Sequence, residues 1–347
     1  MIKGTDENTS QFEIQKPMEL ALRKAFTQEV KLFSRLQSSR SLRALIFDWT
    51  MIVTAIALSE AWPHPLIYFA SLLCIAGRQH GLFVLVHEAA HFRLFPQAKI
   101  NTWISDLFAA YPVLFDTEVY RENHAKHHRH LNSQQDPDWV RKIPFRQWQF
   151  PMAKSFPALT APKFLLWNGP KEWIQIGFLF CGILPLKNLT TAPQLRRLAK
   201  RAAYYGAIIA VASYFQVASG LIWYWMIPYL FVLPALQRVR SVAEHFGLPR
   251  THELNSTRNV LTKNWFERAL FSPHAVGLHL THHLFPSVPF YNLQKLNDRL
   301  MSHPLYRLEA HQNTSYLWPS ARPMANDLFK RDKNSNSEDT NTEKIAA

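Results

Sequence analysis

Three short boxes of histidine constrain this chain more than any other feature of its sequence. They read His87, Glu88, Ala89, Ala90, His91; then His124, Ala125, Lys126, His127, His128; then His279, Leu280, Thr281, His282, His283. The offsets between histidines are four, then three and four, then three and four again. An α-helix turns once in 3.6 residues, so each offset returns a side chain to the same face. Each box therefore predicts a helix with its imidazoles along one stripe. Eight imidazoles are too many for one ion, since zinc sites use three or four protein ligands. Two metal ions sharing the set is the economical reading. Other histidines, such as His64, His252 and His311, stand singly.

Hydropathy says where these helices lie. The mean hydropathy of -0.16 would suit a soluble enzyme, but the apolar residues are strongly segregated. One stretch runs from about 44 to 62, the Pro63, His64, Pro65 break follows, and a second runs from about 66 to 86. Arg78, Gln79 and His80 lie inside the second and must sit in protein or near headgroups. Residues 202–236 are largely apolar with Gly220 near the middle. Since about 20 residues cross a bilayer once, they predict two further spans, about 202–218 and 221–236. Arg35, Arg40 and Arg43 precede the first hairpin, and Lys187, Arg196, Arg197, Lys200 and Arg201 precede the second. Arg238 and Arg240 follow it, and the tips near His64 and Gly220 carry no lysine or arginine. The positive-inside rule then puts the N-terminus, residues 87–200 and the C-terminal region on the cytoplasmic side. The expected fold is an all-α integral membrane protein, with four transmembrane helices in two hairpins and a cytoplasmic helical cap carrying the boxes.

Around this domain, expected at 43–330, residues 1–42 read as a cytosolic or interfacial arm, with no cleavable secretory signal. Residues 331–347 read as a disordered tail. The apolar stretches Trp103 to Phe115 and Trp173 to Leu186 are too short to span and read as interfacial or re-entrant. Cys74 and Cys181 each sit in an apolar run and read as buried thiols. Without a CxxC they offer no zinc or iron–sulfur site. A net charge of +14 would suit nucleic acid, an anionic membrane or an acidic protein. No nucleic-acid module is recognisable, and the basic residues cluster beside apolar spans, which favours the membrane. Eleven tryptophans and 24 phenylalanines suit interfaces and apolar tunnels.

Imidazole does not choose among zinc, copper, iron and nickel. A nitrogen-rich pair of irons activating O2 beside a bilayer fits the donor set and setting best. At this point the strings HEAAH, HAKHHRHLNSQQDPDW and GLHLTHHLFPSVPFYNL resemble the integral-membrane fatty acid desaturase and hydroxylase superfamily. The resemblance runs from the first apolar span to Leu293, and the last string is closest in style to bacterial acyl-lipid desaturases. Members carry an isolated ligand after the fourth span; Ala243, Glu244, His245, Phe246 and Gly247 occupy that place and resemble an alkane-hydroxylase element. The resemblance therefore implies His245 as a ninth ligand beside His87, His91, His124, His127, His128, His279, His282 and His283. It implies two iron ions, O2 as co-substrate, and desaturation of a lipid-, CoA- or carrier-linked acyl chain. Electrons would come from a ferredoxin, a rubredoxin or a cytochrome b5 with its reductase. A bacterial plasma membrane is the expected location. His279 stands where front-end desaturases usually have glutamine, which disfavours that subgroup.

Other readings exist. Oxygen rebound in place of a second hydrogen abstraction would make a hydroxylase or ketolase acting on an alkane, sphingolipid, sterol or carotenoid. His87 to His91 also matches the HExxH zinc-protease pattern, with Glu88 as base; the later aspartate motif of intramembrane proteases is missing from 202–236. A non-catalytic metal-binding membrane protein is a third possibility. Asp136 and Asp138 either orient ligand imidazoles or form an exposed turn about Pro137. His80, on nearly the face of His87, is expected to support the site or its channel. His130 is expected in an outer layer or exposed, and His274 off the box face.

Overall fold

The computed structural model describes residues 19–131, 133–138, 191–245, 248 and 253–324. The expected segment at Trp173 to Leu186, Cys181 and the 331–347 tail lie outside them. The chain divides into two compact units. One takes Gln37–Ala125 and Ala158–Arg238; the other takes Met1–Leu36, Lys126–Pro157 and Val239–Ala347.

The first unit is apolar. Among the described residues, three helices are long and apolar enough to cross a membrane: Ser38–Ala61, Pro65–Ala90 and Ala218–His245. The first two form a hairpin. His64 ends it sharply, because its Nδ1 accepts the Leu66 N–H at 3.2 Å and Pro65 supplies a preset first helical residue. Helix Ser38–Ala61 buries a mixed stripe, with Ala44, Leu45, Ile52 and Ala55 beside polar residues, and turns large apolar side chains outward. Its buried stripe holds Ser41, Asp48 and Ser59, while Leu42, Ile46, Phe47, Val53 and Leu58 are exposed. That pattern suits a lipid solvent, which accepts apolar side chains and rejects polar ones.

The hairpin is held by polar contacts that lipid cannot replace. Arg78 Nη1 donates to Asp48 Oδ1 at 2.9 Å, and Ser71 Oγ donates to the Ala55 carbonyl at 2.9 Å. Gly81 lets the helices close over this pair, since a Cβ there would meet Asp48 Oδ2 at 2.6 Å. The helix Ala218–His245 widens into π-turns at Leu221–Met226 and Pro228–Val232. Pro228 has no N–H for the carbonyl five residues before it, that of Trp223. The Tyr68 hydroxyl supplies the missing donor at 3.0 Å, and Gln79 Nε2 donates to the Trp225 carbonyl at 3.0 Å.

The expected 202–218 stretch lies mainly in helix Ala192–Tyr214, which starts at a Thr191–Gln194 capping box. Its first half carries Arg196, Arg197, Lys200 and Arg201, so it falls outside the three long apolar helices. Its second half exposes Ile208, Ile209 and Val211. The turn expected at Gly220 falls earlier. The helix stops at Tyr214 and Gln216 takes a φ of 57°, while Gly220 is helical. Residues 202–227 contain no proline, so that part of the apolar run carries no breaker to mark where it folds back.

The second unit has an apolar core of Leu22, Phe26, Leu254, Leu280, Leu284, Leu296 and Tyr306, among others. Helix Thr27–Phe33 is tied on by Asn292 Nδ2, which donates to the Phe33 carbonyl at 2.8 Å, and Arg23 pairs with Glu253. The all-α expectation needs one correction here: Arg258–Val260 and His311–Asn313 form a parallel two-stranded ladder. Its middle residue, Asn259, is what the ladder positions, as the site shows below. Hydropathy patterning could not reveal strands of three residues each.

The Asp48–Arg78 pair gives a stability prediction. Asp48→Ala should strand a buried guanidinium at a cost of about 3–5 kcal/mol, lowering the melting temperature in detergent. The double variant Asp48→Ala/Arg78→Leu should recover most of the loss; no difference between single and double variants would refute the pairing argument.

Candidate metal centre

All three boxes are helical as their spacing requires. The first ends helix Pro65–Ala90, with His91 as its C-terminal cap residue. The second lies in helix Thr117–Arg129, started by Asp116, whose Oδ1 accepts the N–H groups of Glu118 and Val119 at 3.1 and 3.0 Å. The third is the short helix His279–Leu284.

In the apolar unit, His87, His91 and His124 gather. Their ring centroids are 5.1 Å apart for His87 and His91, 4.5 Å for His87 and His124, and 4.9 Å for His91 and His124. Each offers a nitrogen within 4.8 Å of the others'. Two residues that spacing did not single out set this geometry. Asn101 Nδ2 donates to the Ala89 carbonyl at 2.9 Å while its Oδ1 accepts from Leu94 N. Arg121, one turn before His124, donates to the carbonyls of Ala90 and Ala89 at 3.1 Å each. These are the end carbonyls of the first-box helix, which a cation and an amide donor satisfy well. His80 is fully buried in the same helix.

In the second unit, His127, His245, His279 and His283 are all buried and form the other ligand group. Three of their nitrogens nearly touch: His279 Nε2 lies 3.0 Å from His245 Nε2 and 3.1 Å from His283 Nε2. A neutral imidazole has one N–H, so one proton cannot serve both contacts of His279. A shared cation can. With metal–nitrogen bonds of about 2.1 Å, right-angled ligands stand about 3.0 Å apart and tetrahedral ones about 3.4 Å. Spacings of 3.0 and 3.1 Å are of the size that nitrogens sharing one ion require. His128 and His282 face each other beside this group, Nε2 to Nε2 at 3.2 Å, and the His128 ring stacks on His283 with centroids 4.3 Å apart.

The outer nitrogens explain the aim of the inner ones. His127 Nδ1 faces both oxygens of Asp136 at 3.0 Å, and Asp136 is 1% exposed. Asp136 Oδ1 also accepts the Asp138 N–H at 2.8 Å, so the turn about Pro137 exists and serves to hold the carboxylate. Asp138 is further off, at 4.0 Å from His127 Nδ1. His245 Nδ1 lies 3.3 Å from the Ser256 carbonyl. Burial, then the imidazoles of His128, His279, His245 and His127, hold His283 well below the ordinary histidine pKa. It is therefore neutral at physiological pH, with a lone pair to give. His130 is half-buried, and His274 packs on Phe290 with a φ of 50°, away from the ligand groups.

The third box is fixed from behind. Asn259 Oδ1 accepts the Thr281 N–H at 3.2 Å, and its Nδ2 lies 3.0 Å from Thr281 Oγ1, Asn297 Oδ1 and the Tyr306 hydroxyl. Gly277 allows the box to approach the strand, since a Cβ would meet the Val260 carbonyl at 2.5 Å. Thr281 lies between ligands in sequence, yet only its partners show why it is a threonine.

A membrane-associated helical protein with buried, histidine-rich metal-binding groups is the class these observations define. Comparison with known proteins agrees. The model of the family described as fatty acid desaturase matches residues 61–315. The chain is 29% identical to dihydrorhizobitoxine desaturase of Bradyrhizobium elkanii, covering 71% of this chain and 70% of that protein. It is 26% identical to an endoplasmic reticulum omega-3 fatty acid desaturase of Vigna radiata var. radiata, covering 73% and 70%. It is 24% identical to a chloroplastic omega-6 fatty acid desaturase of Spinacia oleracea over 63% of this chain, though spanning half of that protein's length. The chain belongs to the fatty acid desaturase family and is an oxidoreductase of it. The HExxH protease reading of the first box gives way to that membership.

If Asp136 orients His127, Asp136→Asn should weaken metal retention by about 10- to 100-fold, read as iron lost to a chelator over time. Retention equal to wild type would remove Asp136 from the site's support.

Proposed function

We propose that this protein introduces a double bond into a fatty acyl chain, linked to a lipid, CoA or carrier protein, in an O2-dependent reaction. The convergence of buried Nε2 atoms at His245, His279 and His283 carries the proposal, together with family membership. His127, His245, His279 and His283 would hold one iron, and His87, His91 and His124 would take part in holding the other; His128 and His282 complete the proposed ligand set. When bound, the pair of irons supplies O2 activation and removal of hydrogen from an unactivated methylene.

The chain's own residues do the rest. Asp136 accepts the Nδ1–H of His127 and so leaves Nε2 as donor to the metal. Asn259 and Thr281 fix the third-box backbone, and Arg121 and Asn101 fix the end of the first-box helix. His283, held neutral by burial, needs no proton release when a metal binds, which favours occupancy near neutral pH.

For the setting, residues 43–330 would form one desaturase-like membrane domain with four spans. The apolar half of helix Ala192–Tyr214 would make the crossing at about 202–218, supported by its exposed Ile208, Ile209 and Val211. The basic flanks support boxes on the cytoplasmic side, in a bacterial plasma membrane. Electrons would come from a separate ferredoxin, rubredoxin or cytochrome b5 with its reductase. The relatives named as desaturases favour a double bond over a hydroxyl as the product.

Fatty acid profiles of a host with and without the gene test this. Wild type should yield new unsaturated acyl chains, and His128→Ala or His283→Ala should yield none while still inserting in the membrane. A new hydroxyl in place of a double bond would reassign the reaction. Full product from either variant would overturn the ligand assignment.

A further inference from the structure

The outer contacts within the four-histidine group divide between carboxylates and neutral oxygens. His127 has a carboxylate, Asp136, and His245 has neutral oxygens of Ser256 and Thr257 at 3.3 and 3.5 Å. His279 lies with its Nδ1 3.4 Å from Oε1 of Glu244. That is within ion-pair distance but is not a hydrogen bond, so Glu244 acts on His279 through its charge and proximity. Glu244 precedes the ligand His245 in helix Leu233–His245, so one turn delivers both a ligand and a carboxylate. Its side chain is 13% exposed and does not point to water. Arg240, one turn earlier, donates through Nε to the same Oε1 at 2.6 Å. The i, i+4 pair fixes the carboxylate rotamer.

We propose that Glu244, tethered by Arg240, is a positioning residue that holds His279 with Nε2 toward the metal and adds negative charge behind that ligand. The inference rests on the metal-centre reading above. Its physical basis is general. A histidine ligand with a carboxylate at its other nitrogen has a fixed tautomer and a more basic donor atom. A buried divalent ion on neutral imidazoles also needs nearby anions to offset its desolvation. Asp136 and Glu244 supply two, behind two ligands of the same four-histidine group. The arginine keeps Glu244 from swinging away, and its own charge tempers the donation. Among the four ligands, His279 also has its Nε2 in contact with two others, so its orientation governs the most distances.

The test uses purified holoprotein in detergent, with release of iron to a ferrous chelator followed over time. Glu244→Gln keeps size and removes charge. It should release one of two iron equivalents about 10- to 100-fold faster than wild type, with the other equivalent unchanged. Arg240→Gln, which leaves the carboxylate but unties it, should accelerate the same equivalent by less. Glu244→Asp should lie between wild type and Glu244→Gln. If Glu244→Gln does not accumulate as folded protein, Arg240→Gln and Glu244→Asp give the same comparison. Unchanged release in every folded variant, or equal acceleration of both equivalents, would overturn the proposal. Wild-type protein without two bound irons would instead overturn the metal-centre reading itself.

Discussion

Everything in this protein depends on imidazoles being buried, neutral and aimed at the same time. An imidazole has two ring nitrogens, and a ligand needs one of them free while the other is satisfied or sealed. The fold meets this by giving the rings outer partners of its own: Asp136 behind His127 and the Ser256 carbonyl behind His245. The inner nitrogens of His245 and His283 both face that of His279 at 3.0 and 3.1 Å, where one proton cannot serve both contacts and a cation could. Burial lowers the pKa of His283 and removes the competing proton. Helical offsets place the rings, but these outer contacts decide which nitrogen each ring presents.

The apolar unit obeys a different constraint. Where lipid replaces water, every backbone group must find a protein partner. The π-turns around Pro228 release carbonyls, and Tyr68 and Gln79 answer them from the neighbouring helix. Trp49 and Trp225 add a stacked pair with centroids 5.6 Å apart, and each indole N–H finds a carbonyl. The same economy closes the first-box helix. Its last carbonyls would be orphaned, and Asn101 and Arg121 occupy them, which also fixes His87 and His91 relative to His124. Satisfying the backbone and aligning ligands are one task at this point.

Much of the site was legible beforehand because helix periodicity is a local property. The boxes specified their own helices, and His87 through His283 fell on ligand faces without tertiary information. Other residues were invisible for physical reasons. Asn259 lies 22 residues from Thr281 and 47 from Tyr306, and asparagine is common in turns, so nothing local marks it as a buried anchor. Asp136 was balanced between a turn and a ligand support, and it proved to be both, since the turn holds the carboxylate at His127. The fold-back of the second hairpin lies at Gln216, which takes the left-handed φ, while Gly220 is helical with open space around it, so the glycine did not mark the turn.

The sequence by itself determined the helical character of the three boxes and the first apolar hairpin, because spacing along a helix and hydropathy along a span are set by neighbours a few residues away. Tertiary structure alone decided the partners: which carboxylate stands behind which imidazole, which donor replaces a lost N–H, and where a glycine permits contact. Those pairings join residues tens to hundreds of positions apart, as Arg78 to Asp48 and Tyr68 to Trp223 do. Such pairs form only after the chain has packed and brought distant segments side by side.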